Sequence, residues 1–95
     1  MGMMIRRYQI RVTGRVQGVG FRQATLNQAQ QLGLTGWVHN LPDPRQVAIE
    51  AEGEEHQLDK FLVWLQEGPR FARVDTVWHA PMAPQHEPTF RILED

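Results

Sequence analysis

The chain has 95 residues, 41% of them hydrophobic and 22% charged, which is enough for one domain over residues 1–95 and too little for two. Its net charge of −1 gives no reason to expect binding to nucleic acid or to a membrane. Because it has no cysteine, disulfides, thiolate metal sites and cysteine nucleophiles are excluded. The four histidines show no metal-ligand spacing, and no signal peptide is recognisable. We therefore expect a cytoplasmic monomer without a metal site.

A glycine-rich loop separates the first predicted strand from the first predicted helix. Tyr8, Ile10 and Val12 alternate with polar residues, which is typical of a half-buried strand, and residues 1–5 are expected to be a loose terminus or the ragged beginning of this strand. The loop follows, with three glycines between residues 14 and 20. Helical periodicity then begins at Phe21 and ends at Gly33.

This loop has the composition of an anion-binding site. Glycine allows backbone N–H groups to point inward, and the first turn of a helix leaves several N–H groups unpaired. No Ser, Thr, Asp or Asn stands between Gln17 and Phe21 to cap the helix, so an anion could be the missing partner. Arg22 adds a planar, permanently charged group suited to bidentate contact with phosphate. On these residues alone, a glycine-rich turn with water at the helix end fits equally well.

The middle of the chain predicts a hairpin. Residues 35–40 have the pattern of a second strand, and the two prolines between residues 41 and 45 require a turn. Residues 47–52 alternate as a third strand, whose acidic face, Glu50 and Glu52, is predicted to point to solvent. Gly53 is expected to break this strand.

The last third of the chain predicts one more helix and two more strands. Leu58, Phe61, Leu62 and Leu65 have helical spacing, and the glycine and proline at residues 68–69 end that helix. Residues 74–78 predict a fourth strand, residues 81–88 a proline-rich connection, and residues 90–93 a short strand at a sheet edge.

The predicted order is βαββαβ with an extra terminal strand. Two right-handed β-α-β crossovers in so short a chain give an antiparallel sheet with two helices on one face, the ferredoxin-like α+β sandwich. This fold hosts many functions, so it names none by itself.

Asn40 ends the second strand, immediately before the turn. At this position its amide could hold one acceptor and two donors in fixed directions. The ordinary interpretation of the residue alone is a turn-forming asparagine that bonds its own backbone.

Taken together, the loop and the end of the second strand resemble the acylphosphatase family. The family's signatures are G-x-V-Q-G-V-x-F-R after the first strand and G-x-V-x-N in the second. The matching residues are Gly14, Val16, Gln17, Gly18, Val19, Phe21 and Arg22, followed by Gly36, Val38 and Asn40. Residues 29–34 and 68–74 also look like the family, so the resemblance covers nearly the whole chain.

The resemblance implies hydrolysis of small acyl phosphates to a carboxylate and inorganic phosphate, with no metal, no cofactor and no phosphoenzyme. Arg22 would hold the phosphoryl group and Asn40 would position the attacking water. The backbone N–H groups that would assist Arg22 are those of Gln17, Gly18, Val19, Gly20 and Phe21. Family members often have Asp-Gly in the hairpin turn, where this chain has Asp43 and Pro44. That departure leaves the geometry of the turn open.

Three alternatives remain beside this interpretation. One is a non-catalytic anion-binding or regulatory domain on the same fold. An RNA-binding module is disfavoured by the near-neutral charge and because the glycine-rich segment precedes a helix. A domain at the start of larger hydrogenase-maturation proteins is disfavoured by the length of the chain.

Overall fold

The computed structural model describes residues 4–94, which form two helices and five strands. The strands are β1 (Ile5–Arg15), β2 (Thr35–Asn40), β3 (Gln46–Glu54), β4 (Arg73–Met82) and β5 (Phe90–Leu93). The helices are α1 (Phe21–Gln31) and α2 (Glu55–Glu67). The predicted element order and the ferredoxin-like fold are confirmed.

The strands form one sheet in the order β4-β1-β3-β2-β5. β1 pairs antiparallel with β3 and β4, and β2 pairs antiparallel with β3. β5 runs parallel to β2, so the predicted antiparallel sheet is mixed at this edge. β4 lies at the other edge and continues through Pro81, which the sequence had assigned to the connection. An edge strand has one unpaired side, and it therefore tolerates a proline.

Both helices pack on one face of the sheet, as predicted. Cross-strand partners project to the same face, and Ile10 lies opposite Ile49 as Val12 lies opposite Val47. These four side chains are at most 3% exposed and belong to one buried cluster with residues of the helices. The helical members of that cluster are Phe21, Ala29, Leu58, Phe61 and Leu65.

On the opposite face of the sheet, the prediction that Glu50 and Glu52 point to solvent is wrong. Arg7 is 1% exposed, and its guanidinium donates to Glu50 at 2.8 Å, to Glu52 at 3.2 Å and to Glu87 at 2.7 Å. The chain must cross from the β4 edge to the β5 edge, and Glu87 belongs to that crossing segment. The segment covers the carboxylates that local alternation assigned to solvent.

Glu52 is the acceptor that fixes this crossing segment. It receives hydrogen bonds from the backbone N–H groups of Gln85 at 2.6 Å and His86 at 3.1 Å. Burial by itself raises the pKa of Glu52, but the hydrogen bonds from Gln85, Arg7 and His86 outweigh it and lower the pKa. Burial by itself lowers the pKa of Arg7, and its hydrogen bonds to the surrounding glutamates raise it above its ordinary value.

The start of β1 was left open by the sequence, and the end of β3 differs from the prediction. β1 begins at Ile5, so residue 5 is the beginning of the strand and not part of a loose terminus, while residues 1–3 lie outside the described range. β3 continues through Gly53, which pairs with Arg6. The Glu54 carboxylate then accepts from the N–H of Gln57 at 3.3 Å and caps α2, so the helix follows the strand directly.

Candidate functional site

The loop between β1 and α1 exposes a row of backbone donors. Gly18 and Gly20 have φ angles of 74° and 77°, a left-handed conformation that favours glycine. Gly20 is the N-cap of α1, and no side chain caps the helix, as predicted. Among residues 4–94, nothing accepts a hydrogen bond from the backbone N–H groups of residues 18–23. Together with the positive end of the helix dipole, these groups suit an anion.

A cavity of about 260 Å³ opens beside this loop. It is lined by Val16, Gly18, Gly20, Phe21, Arg22, Gln23, Ile92 and Glu94. Four of the predicted site residues, at positions 18, 20, 21 and 22, are therefore brought together around one space. Val19 does not line the cavity, because its side chain packs against the hydrophobic core.

The Arg22 side chain is one third exposed and lies beside a carboxylate. Its Nη1 is 3.5 Å from Glu94 Oε2, and the Glu94 side chain is 76% exposed. An ion pair this long and this exposed is weak, so the guanidinium can exchange it for another anion. Sequence reasoning did not identify Glu94, since nothing in the local pattern links it to Arg22.

Asn40 reaches the same end of the sheet from β2. His39 on β2 pairs with Leu93 on β5. The next residues along the chain, Asn40 and Glu94, therefore lie at the same end of these two neighbouring parallel strands. Asn40 Oδ1 is buried and has no hydrogen-bond partner among residues 4–94. A buried carbonyl oxygen without a partner costs about 1–3 kcal/mol, which identifies this atom as a candidate functional acceptor. Asn40 does not itself line the cavity.

The side chain of Gln17 joins the loop to the turn between β2 and β3. Its Nε2 donates to the backbone carbonyls of Leu41 at 3.0 Å, Asp43 at 3.1 Å and Gln46 at 3.0 Å. The sequence had singled out Gln17 only for its backbone N–H. Its match to a fixed position of the first motif was a signal of a further role, but the partners lie in a distant segment.

The sequence left open the geometry of the turn between β2 and β3. In the structure, this turn connects two strands that pair in regular antiparallel register. Asn40 pairs with Val47, and the N–H of Gln46 donates to the carbonyl of Asp43 at 3.0 Å. Asp43 Oδ1 also accepts from the N–H of Arg45 at 2.9 Å. An aspartate followed by a proline suits such a four-residue turn, so no glycine is needed.

The described part of the chain has neither a cluster of metal ligands nor a membrane-spanning helix. Among residues 4–94, no three His, Asp or Glu side chains come together in a way that could hold a metal ion. In the same range, neither helix is long and apolar enough to cross a membrane.

Known proteins are similar to this chain in sequence and in fold. The acylphosphatase family model matches residues 8–92. An acylphosphatase from Methylococcus capsulatus is 45% identical over 92 residues, which are 96% of this chain and 99% of that protein. The structure of an acylphosphatase from Coxiella burnetii has a TM-score of 0.90 and 35% identity, and the match covers 94% of this chain and 93% of that chain.

A larger protein contains the same fold. The crystal structure of full-length HypF in its phosphate- and nucleotide-bound form matches with a TM-score of 0.90 and 32% identity. That match covers 99% of this chain and 12% of that chain. Each of these similarities extends over both the glycine-rich loop and the end of β2, because each covers nearly all of this chain.

Proposed function

Because the chain belongs to the acylphosphatase family and hydrolyses acyl phosphates to a carboxylate and inorganic phosphate, we propose that residues 17–22 hold the phosphoryl group and that Asn40 positions the attacking water. The observation that carries this proposal is the row of unpaired N–H groups of residues 18–23, which lies around the same cavity as Arg22. The phosphoryl group is the part of the substrate that such donors recognise.

Arg22 and the loop supply the positive charge for phosphoryl transfer. Charge-assisted hydrogen bonds of this kind contribute roughly 1.5–3 kcal/mol each. The guanidinium offers two parallel N–H donors to two phosphoryl oxygens, and the loop N–H groups face the remaining oxygens. Because the loop N–H groups are already oriented, they stabilise the charge on the transferring group without further rearrangement.

Asn40 contributes a neutral acceptor for the water. Oδ1 accepts one water hydrogen and thereby directs a lone pair of the water oxygen toward phosphorus. The new bond between this oxygen and phosphorus forms as the bond from phosphorus to the carboxylate oxygen breaks, and the water proton passes to the product phosphate. Since the carboxylate leaves readily and the transition state is loose, the water does not need a strong base.

The size of the cavity and the donor set favour a small substrate and a metal-free reaction. A space of about 260 Å³ suits a small acyl phosphate. Arg22 and the backbone donors fill the place that a divalent cation takes in many phosphoryl-transfer sites. We therefore propose that chelators leave the reaction unchanged.

Hydrolysis of benzoyl phosphate in excess EDTA tests this assignment, with Arg22→Lys compared against the parent. Lysine keeps the charge but cannot reproduce the two-pronged contact, so we expect kcat/KM to fall about a hundredfold. Arg91→Lys, at an exposed arginine on β5, is the matched control and should behave like the parent. Arg22→Lys turnover equal to that of the parent would contradict the assignment. Phosphate binding without any turnover by the parent would favour the non-catalytic anion-binding alternative.

We also propose that the chain acts as a monomer in the cytoplasm, without a nucleic-acid partner. The net charge of −1 supports the last point, because much of the affinity for nucleic acid comes from positive charges that contact its phosphates. Sedimentation equilibrium should give the mass of one chain, 11.0 kDa. A mass of two chains at micromolar concentration would contradict the monomer.

A further inference from the structure

The Gln17 side chain connects the two parts of the site that act on different reactants. On one side is the phosphate-binding loop that contains it, and on the other is the turn that begins directly after Asn40. We propose that Gln17 is a positioning residue, whose amide holds the end of β2, and with it Asn40, at a fixed distance from the loop. This inference rests on the roles proposed above for Arg22 and Asn40.

The geometry fixes the orientation of the Gln17 amide. Three backbone carbonyl oxygens, those of Leu41, Asp43 and Gln46, surround Nε2 at 3.0–3.1 Å. An amide nitrogen has only two hydrogens, so its whole donor capacity is used by the turn. A flipped amide would place Oε1 against three carbonyl oxygens, which excludes the reversed orientation.

The turn needs a donor from outside because it has few of its own. Pro42 and Pro44 have no backbone N–H, so neither can donate to a neighbouring carbonyl. The carbonyls of Asp43 and Gln46 also accept from backbone N–H groups within the turn. Among residues 4–94, the carbonyl of Leu41 accepts only from Gln17. Leu41 follows Asn40 directly, so this bond acts at the point where a shift of the turn would move Asn40.

The side chain of Gln17 acts on the turn rather than on the phosphoryl group. Gln17 does not line the cavity, whereas Gly18, Gly20 and Arg22 do. Loss of the amide should therefore leave phosphate binding intact and disturb the water. A displacement of about 1 Å between reacting groups can reduce a rate by up to a hundredfold.

The first test separates turnover from binding in Gln17→Met, which keeps the length of the side chain and removes the donor. We expect kcat for benzoyl phosphate to fall about tenfold, while the inhibition constant for inorganic phosphate stays within about twofold. Gln57→Met is the matched control, because Gln57 Nε2 also braces a backbone carbonyl, that of Leu32 at 3.3 Å, away from the cavity. It should lower Tm and leave both constants unchanged. A rise in the inhibition constant as large as the fall in kcat would overturn the proposal.

The second test asks whether Gln17 acts through Asn40. If it does, adding Gln17→Met to Asn40→Ala should not reduce the residual rate any further. An equal fall in the parent and in the Asn40→Ala background would overturn the proposal. If Asn40→Ala alone turned over like the parent, the role proposed for Asn40 would fail, and the Gln17 proposal would fail with it. Turnover by the parent and by Gln17→Met at the same rate would instead overturn only the Gln17 proposal.

A third variant, Gln17→Glu, tests the same hydrogen bonds through their dependence on pH. Its ionised carboxylate cannot donate to the three carbonyls and is repelled by them, so kcat should fall further than in Gln17→Met. A protonated carboxyl has one O–H donor. The rate of Gln17→Glu relative to the parent should therefore recover as the pH is lowered, and a ratio that does not change with pH would contradict the proposed hydrogen bonds.

Discussion

At the scale of single residues, Arg22 and Glu94 bring opposite charges into one cavity. Their Nη1 and Oε2 atoms are 3.5 Å apart, and both residues line the space beside the loop. A phosphoryl group bound by Arg22 therefore meets a carboxylate of its own sign. We therefore expect Glu94 to lower the affinity of the site for anions, and we expect solvent and salt to weaken this effect because the Glu94 carboxylate is exposed.

Replacing that carboxylate should strengthen anion binding. In Glu94→Gln, we expect the inhibition constant for inorganic phosphate to fall about two- to threefold at low salt and to approach the parent's at high salt, because the ion pair is exposed. Glu67→Gln, at the exposed end of α2, should leave the constant unchanged. Weaker phosphate binding by Glu94→Gln would mean that Glu94 orients Arg22 instead of competing for it.

The residues of the site differ in how far the sequence could identify them. Arg22 and the loop glycines could be predicted because their chemistry depends on the loop and helix that adjoin them in sequence. Asn40 was recognised only through the motif, since an asparagine before a turn has an ordinary structural explanation. The side chain of Gln17 and the carboxylate of Glu94 were missed. Their partners lie more than 20 residues away along the chain, where no periodicity connects them.

At the scale of elements, the junction of β1 and α1 depends on the left-handed Gly20. A Cβ added there would contact nothing within 4 Å, so a substitution would meet backbone strain and no steric clash. In Gly20→Ala we expect the free energy of unfolding to fall by about 1–2 kcal/mol. We also expect phosphate to bind several-fold more weakly, because relaxation of the strain turns the loop N–H groups away. Urea unfolding and phosphate inhibition measure the two effects.

Gly33 provides the matched control for this prediction. It ends α1 with a φ angle of 69°, and an added Cβ would again contact nothing within 4 Å. Gly33→Ala should thus lose similar stability and bind phosphate like the parent. Equal weakening of phosphate binding in both variants would show that general destabilisation, and not the loop conformation, is responsible.

The elements themselves followed from periodicity, and their errors have a common cause. The helical faces and the strand alternation were correct because burial on one face of a sheet fixes a local pattern. The boundaries predicted at Gly53 and Pro81 were wrong because neither residue type always ends a strand. A glycine can remain paired with the neighbouring strand, and a proline can lie on an edge strand. Gly53 is paired within β3, and Pro81 lies on an edge strand, so neither ended its element.

At the scale of the whole molecule, the buried ion cluster of Arg7 with Glu52 and Glu87 joins the central strands to the crossing segment before β5. The alternation of polar and apolar residues along β3 could not predict this cluster, because the segment that covers Glu52 lies 33 or more positions away along the chain. Breaking a buried ion pair by removing one partner typically costs about 3–5 kcal/mol, since the other charge stays buried. The cluster is therefore a structural determinant of the fold, remote from the proposed site.

The pH dependence of stability follows from the lowered pKa of Glu52. The carboxylate stays ionised to lower pH in the folded state than in the unfolded state. Its contribution to the free energy of unfolding is therefore fully present above its ordinary pKa of 4.5. The contribution is lost as the pH falls through the lower pKa of the folded state. We expect the urea midpoint to decrease below about pH 4.5. Glu52→Gln should be less stable than the parent at pH 7 and should show a smaller decrease, whereas a decrease equal to the parent's would assign the effect to other carboxylates.

The most direct test of the account is the comparison of kcat and phosphate binding in Asn40→Ala. If Arg22 and the loop bind the phosphoryl group while Asn40 positions the water, kcat for benzoyl phosphate should fall about a hundredfold, and the inhibition constant for phosphate should stay within about twofold. Asn27→Ala, at an exposed asparagine of α1 whose Oδ1 accepts only from Gln23 among residues 4–94, should match the parent in both. Unchanged turnover in Asn40→Ala, or a loss of phosphate binding as large as the loss of turnover, would contradict the account.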